Sequence, residues 1–204
     1  MSVRKLMYVL TVVMTMISCK GKKNNNEFTV SGNIENAKEQ KVYLEQLFFS
    51  TQDIKMVDSG KITNGQFKLK GIADEEGLYV IRLEKNQAAY FLVNDINEIK
   101  LNADVNKLSL EGFSVNTPVN LSLKTFMSQV EKKGTALQIK FKDLDSLKNA
   151  NDQKQFEIES LKMDSLQQDF IDYASQFADT TTSPVLALYS LGYLKNYDMS
   201  PFMT

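Results

Sequence analysis

The stretch that decides the fold is Val57-Asp58-Ser59-Gly60-Lys61-Ile62-Thr63-Asn64-Gly65-Gln66-Phe67-Lys68-Leu69-Lys70-Gly71. Phe67 and Leu69 alternate with Gln66, Lys68 and Lys70, which is the two-residue period of a strand with one buried face. Asn64 and Gly65 both tolerate positive φ, so a type I′ turn is expected between this strand and the one before it. An antiparallel β hairpin is the local unit from which the rest is read.

Working outward, the same period runs from Phe28 to about Phe113. Strands are expected at 28–34, 41–48, 54–59, 66–72, 78–84, 89–93 and 98–103, with an eighth possible at 108–112. Tyr79, Ile81 and Leu83 fall on one face, and so do Ile99, Leu101 and Ala103. Short strands with no helix-length segment between them argue for an antiparallel sandwich or barrel and against a parallel βαβ sheet. Aromatics concentrate here, at Tyr43, Phe48, Phe49, Tyr79, Tyr90, Phe91 and Phe113. Half-buried pleated surfaces favour such residues. Phe48-Phe49 stands apart: adjacent strand residues point to opposite faces, so one of the pair is expected at the surface or under a helix. Together with Asp58 and Ser59 these two phenylalanines form the candidate binding surface.

From Thr117 the period lengthens. Pro118 suits a first helical position, and Leu123, Phe126, Met127, Val130, Leu137, Phe141 and Leu144 recur at threes and fours. Gly134 weakens the middle. Asn149 to Asp152 reads as a turn. Phe156, Leu161, Leu166, Phe170, Tyr173 and Phe177 form a second stripe, and Ser183-Pro184 opens a third helix carrying Leu186, Tyr189, Leu191 and Tyr193. The fold class is therefore α+β: a sandwich or barrel of seven or eight strands, then a helical hairpin and a third helix. The helices are expected to cover part of one sheet face and leave a groove at the junction.

The N-terminus has a separate logic. Arg4 and Lys5 precede an apolar run from Leu6 to Ile17, too short for a membrane span of ~20 residues but suited to a secretory signal. Met16-Ile17-Ser18-Cys19 resembles a bacterial lipobox, with Met where Leu is commoner. That resemblance implies cleavage before Cys19 and lipid on its sulfur, and several acyl chains anchor a protein firmly. Lys20 to Glu27 has no apolar residue and reads as a flexible tether of roughly 15 Å. The expected organisation is a signal peptide at 1–18, lipidated Cys19 and tether at 19–27, the β domain at 28–113 and the helical segment at 114–204. With no acidic cluster after Cys19 and no Asp at position 20, the expected site is the outer membrane, facing the periplasm.

Composition removes many activities. The chain of 204 residues has no His and one Cys. That excludes a Ser-His-Asp triad, a His-ligated zinc and a Cys-x-x-Cys pair within this sequence. Without Arg4 and Lys5, its 24 basic residues fall to 22 against 25 acidic ones, a balance that predicts no nucleic-acid partner. Gly60 and Gly65 have Walker spacing, but Gln66-Phe67 stand where Lys-Ser/Thr is required. Asp143-x-Asp145 lacks the glycine of a calcium loop. Asn120-Leu121-Ser122 is a formal glycosylation sequon with little meaning in a bacterial lipoprotein. Asp58 is read as capping hairpin backbone. No catalytic residue, metal site or cofactor is expected.

The segment from Val57 to Gly71, then Leu78-Tyr79, and the opening Phe28-x-Val30-x-Gly32 resemble the domain of unknown function at the N-terminus of Bacteroidetes thioredoxin-like lipoproteins of the TlpA/ResA and AhpC/TSA types. The resemblance covers about 28–126. It implies a following thioredoxin-like redox domain, and the absence of Cys-x-x-Cys here means no catalytic residue carries over. The expected function is a non-catalytic, lipid-anchored envelope module that positions or docks a redox domain or another periplasmic partner. The alternative is the N-terminal part of a thiol–disulfide oxidoreductase continuing beyond Thr204. Ser200-Pro201-Phe202 favours that continuation, because it repeats the helix start at Ser183-Pro184-Val185. A glycan- or small-ligand-binding lipoprotein is a third reading.

Overall fold

The computed structural model describes residues 26–49, 53–85, 88–107 and 109–195. Cys19, the expected signal and tether residues before Asn26, Leu108, and Ser200-Pro201-Phe202 lie outside the described residues. Among the described residues there are eight strands: β1 (Glu27–Glu35), β2 (Gln40–Leu47), β3 (Ile54–Ile62), β4 (Gln66–Ile72), β5 (Leu78–Leu83), β6 (Ala89–Val93), β7 (Glu98–Asp104) and β8 (Phe113–Val115). Three helices follow: α1 (Pro118–Asn149), α2 (Gln153–Thr180) and α3 (Pro184–Lys195).

The strands form two four-stranded sheets, ordered β4-β1-β7-β8 and β3-β2-β5-β6. The alternation in the sequence reports which face is wet. In β4, Phe67, Leu69 and Gly71 are buried while Gln66, Lys68, Lys70 and Ile72 are exposed. In β7, Ile99, Leu101 and Ala103 are buried between exposed Lys100 and Asn102. The first sheet therefore turns a largely polar outer face to solvent, as sheets solvated on one side do. The inner faces of both sheets share one core, with Val30, Ile34, Val42, Leu44, Ile81 and Ile99 fully buried.

The pairing corrects the antiparallel reading at one ladder. β1 pairs β4 antiparallel but β7 parallel, with Gly32 opposite Leu101. A Cβ on Gly32 would lie 1.6 Å from the Leu101 carbonyl oxygen, so this close approach requires glycine. The eighth strand also differs from expectation. Leu110–Gly112 is a 3₁₀ turn and the strand is Phe113–Val115. A Cβ on Gly112 would lie 2.0 Å from the Lys107 carbonyl oxygen, so the chain doubles back here rather than extending.

The Asn64-Gly65 turn has positive φ at both residues, 51° and 78°, and a two-residue loop closed by paired Thr63 and Gln66 backbone bonds of 3.0 Å. Its strands then part company, because β3 belongs to one sheet and β4 to the other. The hairpin is thus the corner where the sheet folds over on itself.

Helix ends follow their capping chemistry. Thr117 accepts from the Asn120 N–H with Pro118 in the first turn, and Asp152 accepts from the Gln155 N–H. Gly134 does not interrupt α1. Phe126 is the centre of the helical layer, with ring centroids of Phe177 at 4.5 Å, Tyr193 at 5.6 Å, Tyr173 at 5.7 Å and Tyr189 at 6.0 Å. Among the described residues no helix is long and apolar enough to cross a membrane.

Candidate functional site

The outer face of the second sheet is where sandwich and helices meet. Leu78-Tyr79-Val80-Ile81 is a continuous apolar run buried on both faces. Tyr79 and Ile81 point into the sandwich core, whereas Leu78 and Val93 pack with Leu123 of α1 and with Val185 and Leu186 of α3. Ladder registers place Ile54, Leu47, Leu78 and Val93 in one row across this face. The helices cover the β5–β6 side of the row. On the β3 side, Ile54 and Met56 stay exposed, at 59% and 62%.

One side chain pins the helical layer in place. β6 is an edge strand. Asn120, 2% exposed, lies beside it. Its Oδ1 accepts from the Val93 N–H at 2.7 Å, and its Nδ2 donates to the Val93 carbonyl at 2.8 Å and to Thr117 Oγ1 at 2.7 Å. An amide side chain presents the donor and acceptor a neighbouring strand would supply. The sequon asparagine is therefore a buried strand mimic. Sequence reasoning met it only as a sequon; the signal it offered was an amide three residues into a helix that starts after Thr-Pro.

The candidate residues fall in three separate places. Asp58 accepts from the Ser59 N–H at 2.7 Å and from the Lys70 N–H at 2.8 Å. Lys70 is on β4, so this carboxylate ties the diverging strands after the corner. Asn64 and Gly65 sit at the corner itself, at the other end of β3 from Ile54. Phe48 and Phe49 lie beyond β2, which ends at Leu47, and both are exposed, at 40% and 47%. The opposite-faces reading of this pair is corrected: neither residue is in a strand. Asp58 faces Leu44, so Phe48 lies about four residues, roughly 14 Å, further along the strand direction. The four proposed surface residues do not converge.

The remaining polar clusters are internal ties. Glu45 is buried and receives the Arg82 guanidinium through Nε at 3.0 Å and Nη2 at 2.6 Å, with Arg82 lying 4.5 Å over the Tyr43 ring. In the helical hairpin, Lys140 and Lys162 donate to Glu159 at 2.7 and 2.8 Å and hold its carboxyl down from 4.5 to about 2. Lys133 bonds Asp169 and lies 5.4 Å from the Tyr173 ring centroid. Burial pushes the Tyr90 hydroxyl up, with Asp104 adding to the shift, and among the described residues no group hydrogen-bonds that hydroxyl. Among the described residues no three acidic or thiol side chains gather to hold a metal ion.

The molecule has two unlike ends. β1 begins beside the end of β4, with Glu27 opposite Ile72, and β7 starts alongside β1, with Thr29 opposite Glu98. Leu47, Ile54, Leu78 and Val93 pair at the same end. The chain enters there, at Asn26, and the first turn of α1 lies there, with Asn120 bonded to Val93. α1 runs up the sandwich until Glu131 lies beside Ala88 and Phe113, at the far end. Eighteen residues then remain to Asn149, about 27 Å of helix projecting past the sandwich.

Residues 28–141, from β1 well into α1, match the family model described as a domain of unknown function (DUF4369). No curated protein matches the chain.

Proposed function

The chain belongs to the DUF4369 family, and on that footing we propose that it is a lipid-anchored, non-catalytic module of the cell envelope that presents a docking platform to a partner. The observation that carries this reading is the use made of two polar residues, Asp58 of the hairpin motif and Asn120 in the first turn of α1. Asp58 is spent on the Ser59 and Lys70 N–H groups, and Asn120 on both polar groups of Val93. They hold two sheets and a helical layer in a fixed relation rather than facing a substrate. The lipobox-like Met16-Ile17-Ser18-Cys19 supplies the anchor in this reading.

Membrane fractionation tests it. Wild-type chain is expected in the membrane pellet and Cys19→Ser in the soluble fraction. A Cys19→Ser variant that still pellets contradicts the anchor. Insulin reduction by the purified chain contradicts the non-catalytic reading.

One observation favours a second reading, in which these residues are the N-terminal part of a Bacteroidetes thioredoxin-like oxidoreductase. α3 is apolar around its circumference, and Leu188 and Leu191 remain exposed, at 53% and 46%. A helix apolar on all sides is normally enclosed. A redox domain packed on this stripe would enclose it. A reading frame that runs past Thr204 into Cys-x-x-Cys decides for this alternative.

A further inference from the structure

The exposed apolar side chains of the sandwich are not scattered. All six large ones among its described residues, Phe48, Phe49, Ile54, Met56, Ile72 and Ile96, lie at one end. Strand register places them there. Ile54 pairs with Leu47, immediately before Phe48. Ile72 pairs with Glu27, and Ile96 precedes the β7 residue opposite Thr29. This is the end at which the chain enters, at Asn26. Singly exposed apolar residues are ordinary; a set confined to one end of a domain marks an interaction surface.

We infer that this end docks onto the surface of a zwitterionic lipid bilayer, with Phe48 and Phe49 entering the interface. The inference rests on the lipid-anchor reading. Position argues for lipid: Cys19 is seven residues before Asn26, so a fully extended tether reaches at most ~25 Å. A surface held that close meets the bilayer at high effective concentration, which makes a small apolar contact sufficient. Phenylalanine and aliphatic side chains are the residues that sink ~5–10 Å into the headgroup boundary. Charge selects the lipid. Glu27, Asp74, Glu75, Glu76 and Asp95 line the same end beside Asn26. Lys70 pairs with Glu27. Anionic head groups attract the lysines of the tether but repel this acidic rim of the folded domain, so the domain itself seats best on zwitterionic ones. Docked this way, the hairpin of α1 and α2 points away from the membrane.

The chain contains no tryptophan, so Phe49→Trp introduces a single fluorescent reporter at the contact. Leu161→Trp, on the exposed side of α2 in the projecting hairpin, is the control. Each full-length variant, extracted from membranes, is reconstituted in phosphatidylcholine vesicles with brominated acyl chains. Pelleting reads the anchor and quenching reads the docking. The expected result is pelleting of both, with a blue shift and quenching for Phe49→Trp alone. Adding phosphatidylglycerol is expected to reduce that quenching. Pelleting with Phe49→Trp emission unquenched overturns the docking and leaves the anchor standing. A chain that does not pellet overturns the anchor and the docking with it. A blue shift in native membranes that is absent in pure lipid vesicles assigns the surface to a protein and overturns the lipid.

Discussion

Replacing Asn120 with alanine tests whether the helical layer is pinned to the sandwich as the geometry requires. The amide donates to the Val93 carbonyl and Thr117 Oγ1 and accepts from the Val93 N–H, all within 2.8 Å, at a site where Val93 is fully buried. Asn120→Ala leaves two buried backbone groups without partners. Each such group costs about 1–3 kcal/mol, so the loss is about 2–6 kcal/mol. That is a large share of the 5–15 kcal/mol, roughly, that keeps a domain folded. Thermal unfolding followed by circular dichroism should show a drop of roughly 5–20 °C, at about 2–4 °C per kcal/mol for a chain of this size. Asn120→Asp should be at least as damaging, because it sets an acceptor against the Val93 carbonyl, with Asp95 Oδ1 3.2 Å from the original nitrogen. Hydrogen exchange should show the Val93 amide losing protection in Asn120→Ala. An Asn120→Ala protein within ~0.5 kcal/mol of wild type, the range of a neutral surface change, would refute the pin.

Gly65→Val should destabilise by about 1–3 kcal/mol, since φ is 78° and a Cβ would sit 2.6 Å from Asn33 Oδ1; an unchanged melting temperature would remove the need for a type I′ corner. Asp58→Ala gives up two backbone bonds worth about 0.5–1.5 kcal/mol each, and Asp58→Asn, which keeps an acceptor, should recover part of the loss; denaturant midpoints equal to wild type for both would show that the strands stay joined without this tie. Glu159 titrates below its ordinary range because Lys140 and Lys162 hold it ionised. A depressed carboxylate stabilises above its unfolded value and loses that contribution as pH falls through about 2. The melting-temperature gap between wild type and Glu159→Gln should accordingly be constant above pH ~5 and close as pH falls toward 2. A gap that stays constant across that window would contradict the lysine clamp.

What could be read from the residues was what local physics decides. Alternation in β4 and β7 reports one buried face; the same period is read in β5, where Leu78 and Val80 prove buried as well. Asn64-Gly65 dictates its own turn, and Pro118 and Pro184 mark helix starts. The readings that failed depended on how the chain is arranged in space rather than on the local pattern. Nothing around Gly32 announces that β7 lies parallel beside it, because what demands the glycine is the Leu101 carbonyl in the space a Cβ would take. Gly112 similarly marks a close approach to Lys107 and not a strand end. Phe48-Phe49 suggested a strand by β propensity, yet β2 has ended by Leu47. Asn120 read only as a formal sequon, and the edge of β6 explains its burial. The candidate surface was legible as a set of unusual residues, but its residues separate into a corner, a tie and an exposed end once the register is known.

The central claim, a folded module held to lipid through Cys19, is tested most directly by intact-mass measurement of the chain extracted from membranes. The expected polypeptide begins at Cys19 and carries a diacylglyceryl group on sulfur and an acyl group on the new amine. A membrane-extracted chain with an unmodified Cys19 thiol, or one whose N-terminus lies elsewhere, would contradict it.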